Sequence, residues 1–284
     1  MHIVVCIKQV PDSAQIRVHP VTNTIMRQGV PSIINPYDLF ALEEALRWRD
    51  QAGGTVTILT MGPPMAEDTM RKALTLGADR AVLLTDRCFA GSDTLATSFA
   101  LATAIGKIGE TWGPPDIVFT GKQTIDGDTA QVGPGIAKRL RFNQLTYVAK
   151  IDSLDPESRA ITVERRAEGG LQVLQSRLPV LITMLEGTNE LRRGSLDSAL
   201  RAARAEVVRW GAAEAGVEDT AKCGLRGSPT VVKHVFAPKP RAEKAQIIET
   251  AAGPVRTQAD AVIAAIFARQ PGIESDLLRL ARHS

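Results

Sequence analysis

The 284-residue chain predicts an α/β fold: a parallel sheet with helices on both faces, followed by a C-terminal extension. Three observations carry that prediction. Continuous apolar runs recur at Ile3–Ile7, Val56–Thr60, Ala81–Leu84 and Ile117–Thr120, as expected of strands covered on both sides. Stretches with apolar residues at helical spacing separate them, which is the βαβα alternation of parallel sheets. Finally, a Gly- and hydroxyl-rich loop, Gly121–Gly135, joins the fourth run directly to a helical pattern. A helix entered this way turns its unpaired backbone N–H groups toward an anion, so a phosphate or pyrophosphate would sit at this loop.

The elements follow in order. After the first run, residues 11–34 mix β-favouring residues with Pro and Gly and predict a small hairpin near Ile16–Val18 and Thr24–Arg27. Asn35-Pro36 opens a helix, Asn as a cap and Pro at the first helical position, with Asp38, Glu43 and Glu44 toward its start. Leu39, Leu42 and Leu46 form its buried stripe, and Gly53-Gly54 ends it. Met65–Leu76 is a second helix, stopped by Gly77. Leu95, Phe99, Ala102 and Ile105 mark a third. Beyond residue 145 the pattern turns to short strands at Ala160–Arg166, Leu171–Gln175 and Val180–Met184, with Glu168-Gly169-Gly170 as a hairpin turn. The α/β domain is thus read as residues 1–187. A polar stretch from Thr188 enters an Ala/Arg helix, Ser195–Ala205, and residues 206–284 form an extension with a helical pattern at Gln258–Arg269. That extension is too poor in large apolar residues to make its own core, and is expected to wrap a partner subunit.

Composition narrows the function classes. Apolar residues make up 44% and charged residues 23%, ordinary for a globular protein, while aromatics at 4% offer no base-stacking surface. A net charge of +3 from scattered Lys and Arg gives no nucleic-acid track. Cys6, Cys88 and Cys223 are odd in number and far apart, without Cys-x-x-Cys, which argues against a disulfide framework or metal cluster and fits a reducing cytoplasm. The opening residues lack a basic leader, and no run approaches a membrane span, so membrane association is expected only through partners.

Cys6-Ile7-Lys8, Asn35, Met61-Gly62 and the Gly121 loop all fall on the carboxyl edge of the predicted sheet, where ligands bind near a switch in strand order. In the loop Thr124, Thr129 and Gln131 offer donors, Gly127 and Gly133 close approach, and Asp126 and Asp128 a helix cap or a ribose partner. A capping loop without ligand is the plainer alternative. Lys8 could meet a phosphate or stay solvated; Asn35 could touch a nucleotide, although capping is favoured by pattern. There is no G-x-G-x-x-G and no Walker lysine. The histidines share no metal-ligand spacing, and no nucleophile–base arrangement is legible. The chain reads as a nucleotide holder.

The opening Val4-Val5-Cys6-Ile7-Lys8-Gln9-Val10-Pro11-Asp12, the Asn35-Pro36-Tyr37-Asp38 helix start with Glu43-Glu44-Ala45, and Val163-Glu164-Arg165, Glu168-Gly169-Gly170, Gln172, Leu174, Pro179 and Leu181-Ile182-Thr183 together resemble the β subunit of electron-transfer flavoproteins. The resemblance implies a flavodoxin-like domain that binds an adenine nucleotide, paired with an FAD-carrying α subunit. It places the nucleotide on Cys6, Lys8, Asn35, Asp38, Met61, Gly121, Gln123, Thr124, Asp126, Gly127, Asp128, Thr129, Ala130, Gln131 and Val132. It also makes Asn189–Leu200, within residues 188–205, a partner-recognition loop with Leu196 as its protruding leucine.

Housekeeping members of that family hold AMP, and their loop shows three acids followed by Cys-Asn-Gln-Thr. Here the loop reads Asp126-Gly127-Asp128-Thr129-Ala130-Gln131-Val132-Gly133-Pro134, which resembles the electron-bifurcating, FixA-type branch in which FAD replaces AMP. Gly127 removes a carboxylate and a Cβ from the path of a diphosphate. Gly227-Ser228-Pro229-Thr230-Val231-Val232 resembles the same nitrogen-fixation-linked branch. The resemblance implies NADH as donor, a FixB-type α subunit, a quinone-reducing FixC-type flavoprotein and a FixX-type ferredoxin-like protein, with quinone and ferredoxin or flavodoxin as acceptors. The alternative within the family is a housekeeping β subunit with structural AMP. An ATP-binding or adenylating domain is disfavoured, because no Ser-Gly-Gly-x-Asp-Ser loop follows the first strand.

Overall fold

The computed structural model describes residues 1–12, 17–18, 25–26, 31–231 and 254–281. They fall in two compact units, Met1–Ala237 and Pro238–Ser284. In the first unit, β1 (His2–Cys6) leads to the ribbon of β2 (Gln9–Pro11) with β5 (Ser32–Ile34), and β3 (Arg17–Val18) pairs antiparallel with β4 (Ile25–Met26) where the small hairpin was expected. Then come α1 (Pro36–Ala52), β6 (Thr55–Met61), α2 (Glu67–Leu76), β7 (Arg80–Leu84), α3 (Thr94–Trp112), β8 (Ile117–Gly121) and α4 (Val132–Leu140). Gly77 closes α2 at φ 119°, a conformation open to glycine, and the Asp93 carboxylate caps α3 by accepting from the Leu95 and Ala96 N–H groups. The antiparallel arm β9 (Asn143–Asp155), β10 (Ala160–Ala167) and β11 (Gly170–Arg177) precedes β12 (Val180–Met184), α5 (Leu196–Arg204) and β13 (Val207–Trp210).

One nine-stranded sheet results, in the order β11-β10-β9-β12-β8-β1-β6-β7-β13. It is parallel from β9 to β13, and the arm is added antiparallel. The chain steps from β1 outward through β6 to β7, then returns to place β8 on the other side of β1. Strand order therefore switches between β1 and β8. Helices α1 and α2 cover one face, with Leu42, Leu46 and Met70 packed on Ile3, Val5, Ile58 and Phe119. Helices α3 and α4 cover the other, with Ile105, Ile108 and Ile136 on Val4, Leu59, Val118 and Leu181. Burying runs such as Val180–Met184 on both faces is the main stabilising contribution, about 25 cal/mol per Å² of apolar surface.

Two strands of the nine-stranded sheet have no counterpart in the sequence pattern read above. In β9, the outward Lys150 and Asp152 mask Leu145, Val148, Ile151 and Leu154, which are buried against the α1 side. Strand β13 has four residues, yet it extends the sheet beyond β7 and carries Trp210, which stacks on Trp112 with centroids 5.8 Å apart. Ala212, Ala215, Val217 and Cys223 continue that core cluster. The second unit holds α6 (Val255–Arg269) and α7 (Pro271–Ala281). No helix among the described residues is long and apolar enough to cross a membrane.

Candidate functional site: a crevice at the switch in strand order

The segments singled out by sequence converge at the carboxyl ends of β1 and β8. Strand β1 ends at Cys6, whose buried thiol joins the α3-side core, and burial, with Asp38 nearby, pushes that thiol far above the usual range. Met61 ends β6 and packs on the same cluster. Strand β8 ends at Gly121, where an added Cβ would stand 2.6 Å from Asp38 Oδ1 and from Tyr37 Cβ. Only glycine fits there.

The first turn of α1 clamps this edge. Asn35 was expected to cap its own helix, but its side chain makes no cap hydrogen bond. Its amide reaches the loop after β8 instead: Nδ2 donates to the Gln123 carbonyl at 2.9 Å, and Oδ1 accepts from the Ile125 N–H at 3.2 Å. One turn on, the buried Asp38 carboxylate accepts from the Lys8 N–H at 2.8 Å and from the Gly121 N–H at 3.0 Å. Burial pushes its pKa up to about 7, against the pull of Asn35 and these two donors. Neither side chain is presented to solvent.

The loop itself is tightly turned. The Thr124 carbonyl accepts from the Asp128 N–H at 2.9 Å, and Gln123 Nε2 donates to Asp128 Oδ1. Asp128 and Ala130 adopt left-handed backbone at φ 57° and 55°, an uncommon conformation that clusters at ligand-binding turns. The Lys8 ammonium pairs with Asp126 at 2.9 Å; burial opposes the Asp126 charge, but Lys8 outweighs it and holds the carboxyl below the usual range. Asp126 and Asp128 thus serve the loop, and neither caps α4, whose N-terminus at Gln131 has no side-chain cap. Thr94 on α3 fixes Gln131 by donating to Oε1 at 2.8 Å, a role without a local sequence signal.

Among the described residues none accepts a hydrogen bond from the N–H groups of Thr129, Ala130, Gln131, Val132 or Gly133. These five successive N–H groups, beside an uncapped helix N-terminus, are donors that an anion could take. Gly133 serves this row indirectly. Its hypothetical Cβ would lie 2.9 Å from Thr120 Oγ1 and Thr183 Cγ2, so its smallness seats α4 on the sheet. At Gly127 the same test finds only Thr124 Oγ1 at 3.4 Å, so the fold does not require glycine there. Among the described residues no cluster of His, Cys, Asp or Glu could hold a metal ion.

A second surface lies on α5. Ser195 caps the helix, and Leu196, its first residue, is 76% exposed. The preceding segment is fastened to α1: Arg192 Nε donates to Glu43 Oε2 at 2.9 Å and Nη1 to Asp50 at 2.9 Å, and Asn189 Nδ2 donates to the Phe40 carbonyl at 3.0 Å. Glu43 and Glu44 are therefore structural anchors, buried despite their charge. Leu196 projects from a fixed base.

A family model described as the electron transfer flavoprotein domain matches residues 22–215. The chain belongs to the electron transfer flavoprotein family. It is 75% identical to Protein FixA of Azorhizobium caulinodans over 282 residues, 99% of each chain, and 62% identical to Protein FixA of Azotobacter vinelandii over 281 residues, 99% of this chain and 100% of that one. It is 49% identical to the electron transfer flavoprotein subunit beta of Clostridium acetobutylicum over 233 residues, 82% of this chain and 86% of that one. Within the electron transfer flavoproteins it stands with the β subunits, and its likeness to the FixA proteins extends through nearly the whole chain.

Proposed function

We propose that the chain is the FAD-binding β subunit of an electron-bifurcating electron transfer flavoprotein. With a FixB-type α subunit it takes electrons from NADH and sends one toward quinone, through a FixC-type flavoprotein, and one toward ferredoxin or flavodoxin, with a FixX-type ferredoxin-like protein in the same assembly. This electron flow supports nitrogen fixation. Membrane contact comes through those partners.

The observation that carries this reading is the free N–H row of Thr129–Gly133 beside an open Gly127. The row can take a pyrophosphate, with Thr129 adding a hydroxyl. A side chain at Gly127 would be tolerated by the protein, so its absence leaves space to the ligand, and an acid there would add a charge next to the phosphates. Lys8 neutralises Asp126, keeping one carboxylate from opposing an anion. Met61 and the backbone at Asn35 lie near the adenosine end. FAD, when bound, supplies the exchange of a hydride for single electrons; the protein's part is to hold it, exclude water and tune it. Beyond the sheet strand and core residues of 207–223, the C-terminal extension contacts partner subunits, and Leu196 docks on a redox partner. Acid extraction of the complex purified with its α subunit tests the reading: two FAD per heterodimer support it, and one FAD with one AMP contradicts it.

A further inference from the structure

Asp38 occupies a place that the strand register makes unusual. Strands β1 and β8 pair through Ile3–Ile117, Val4–Val118 and Val5–Phe119, and beyond that point they lead to Lys8 and Gly121. The two N–H groups that meet Asp38 belong to opposite sides of the opening. Oδ2 takes Lys8 at 2.8 Å and Oδ1 takes Gly121 at 3.0 Å, so one carboxylate spans the fork where the two strand ends diverge. Those two points, together with the Asn35 tether, carry the loop above it. Lys8 carries the ammonium that meets Asp126, and Gly121 begins the segment held by Asn35 and leading to the free N–H row.

We propose that Asp38, in its ionised form, is a positioning residue that sets the width of the crevice and thereby the grip of the N–H row on a nucleotide diphosphate. The proposal rests on the nucleotide reading above. It assigns Asp38 no ligand contact, since the side chain is buried and both oxygens are engaged within the protein.

The chemistry of the carboxyl makes the proposal pH-dependent. Two oxygens facing two N–H donors suit a carboxylate. A protonated carboxyl turns one oxygen into a donor, leaving Lys8 or Gly121 without a good acceptor. The charged or titratable groups around it are the Cys6 thiol on β1, which is neutral, the Lys8 ammonium above it, and Asp126, which Lys8 pairs. Burial pushes Asp38 up to about 7, so its titration falls in an accessible range. A nucleotide that prefers the ionised form is held fully above the Asp38 pKa and released as pH falls through it, with Kd rising by up to about tenfold per pH unit below it.

The test is a titration of the nucleotide-stripped complex with FAD and with AMP from pH 6 to 8.5, for wild type and Asp38→Asn. The amide cannot serve both donors at any pH. Wild type should weaken toward pH 6 while Asp38→Asn is weak and flat. Because FAD, unlike the phosphate monoester AMP, has no group that titrates between pH 6 and 8.5, its wild-type profile is itself diagnostic, and a variant that fails to fold leaves the test intact. Wild-type affinity that is constant, or that strengthens as pH falls, overturns the role of Asp38 and leaves the nucleotide site standing. A complex that binds neither nucleotide at any pH overturns both.

Discussion

The Lys8 ammonium stands 2.9 Å from the Asp126 carboxylate, joining the end of β1 to the loop after β8 across the mouth of the crevice. The side chains are 47% and 33% exposed, so the pair contributes at most about 1 kcal/mol to folding. Its greater effect is electrostatic. Lys8→Ala leaves an unbalanced carboxylate by the free N–H row and should weaken FAD about tenfold, with a melting temperature close to wild type. Lys8→Ala/Asp126→Asn should recover much of that loss. Fluorescence titration with FAD reads both.

The two loop glycines should behave oppositely. A Cβ at Gly121 meets Asp38 and Tyr37 at 2.6 Å, so Gly121→Ala forces backbone movement and should cost about 2 kcal/mol or more. At Gly127 the nearest neighbour is 3.4 Å away, and Gly127→Ala should change stability by less than about 0.5 kcal/mol. Gly127→Asp should weaken FAD more than AMP. Denaturant melts and nucleotide titrations separate the two positions, and equal loss of FAD and AMP would refute the account of Gly127.

Asn35→Ala removes both tethers of the Gln123–Ile125 segment and should cost about 2–4 kcal/mol, because it strands a carbonyl and an N–H near the core. Asn35→Asp keeps the acceptor for Ile125 and loses the donor to Gln123. Amide hydrogen exchange should rise at Ile125 in the alanine variant, and rise less in the aspartate variant.

Sequence reasoning found the sheet edge and the loop because both rest on local pattern: four apolar runs, and glycines set between a strand and a helix. It did not find the Asn35 tether. An Asn before Pro at a helix start satisfies the local rule for a cap, and only the return of β8 to the side of β1 brings the Gln123 carbonyl within its reach. Asp126 and Asp128, read as a helix cap or a ribose partner, make no cap and bond within the protein to Lys8 and Gln123. Strand β13 escaped notice because four residues in an Ala- and Arg-rich stretch carry too little periodicity.

Leu196 supplies a test of partner docking. It is 76% exposed at the start of a helix whose preceding segment is bound to α1 through Arg192 and Asn189. Leu196→Ala should leave stability within about 0.5 kcal/mol of wild type. Electron delivery to the quinone-reducing partner should fall through a raised KM for that partner. An unchanged KM would show that docking uses another surface.

The most direct test of the central claim is the nucleotide content of the complex purified with its α subunit, released by acid and quantified by chromatography. The account predicts two FAD and no AMP per heterodimer. One FAD and one AMP would contradict it.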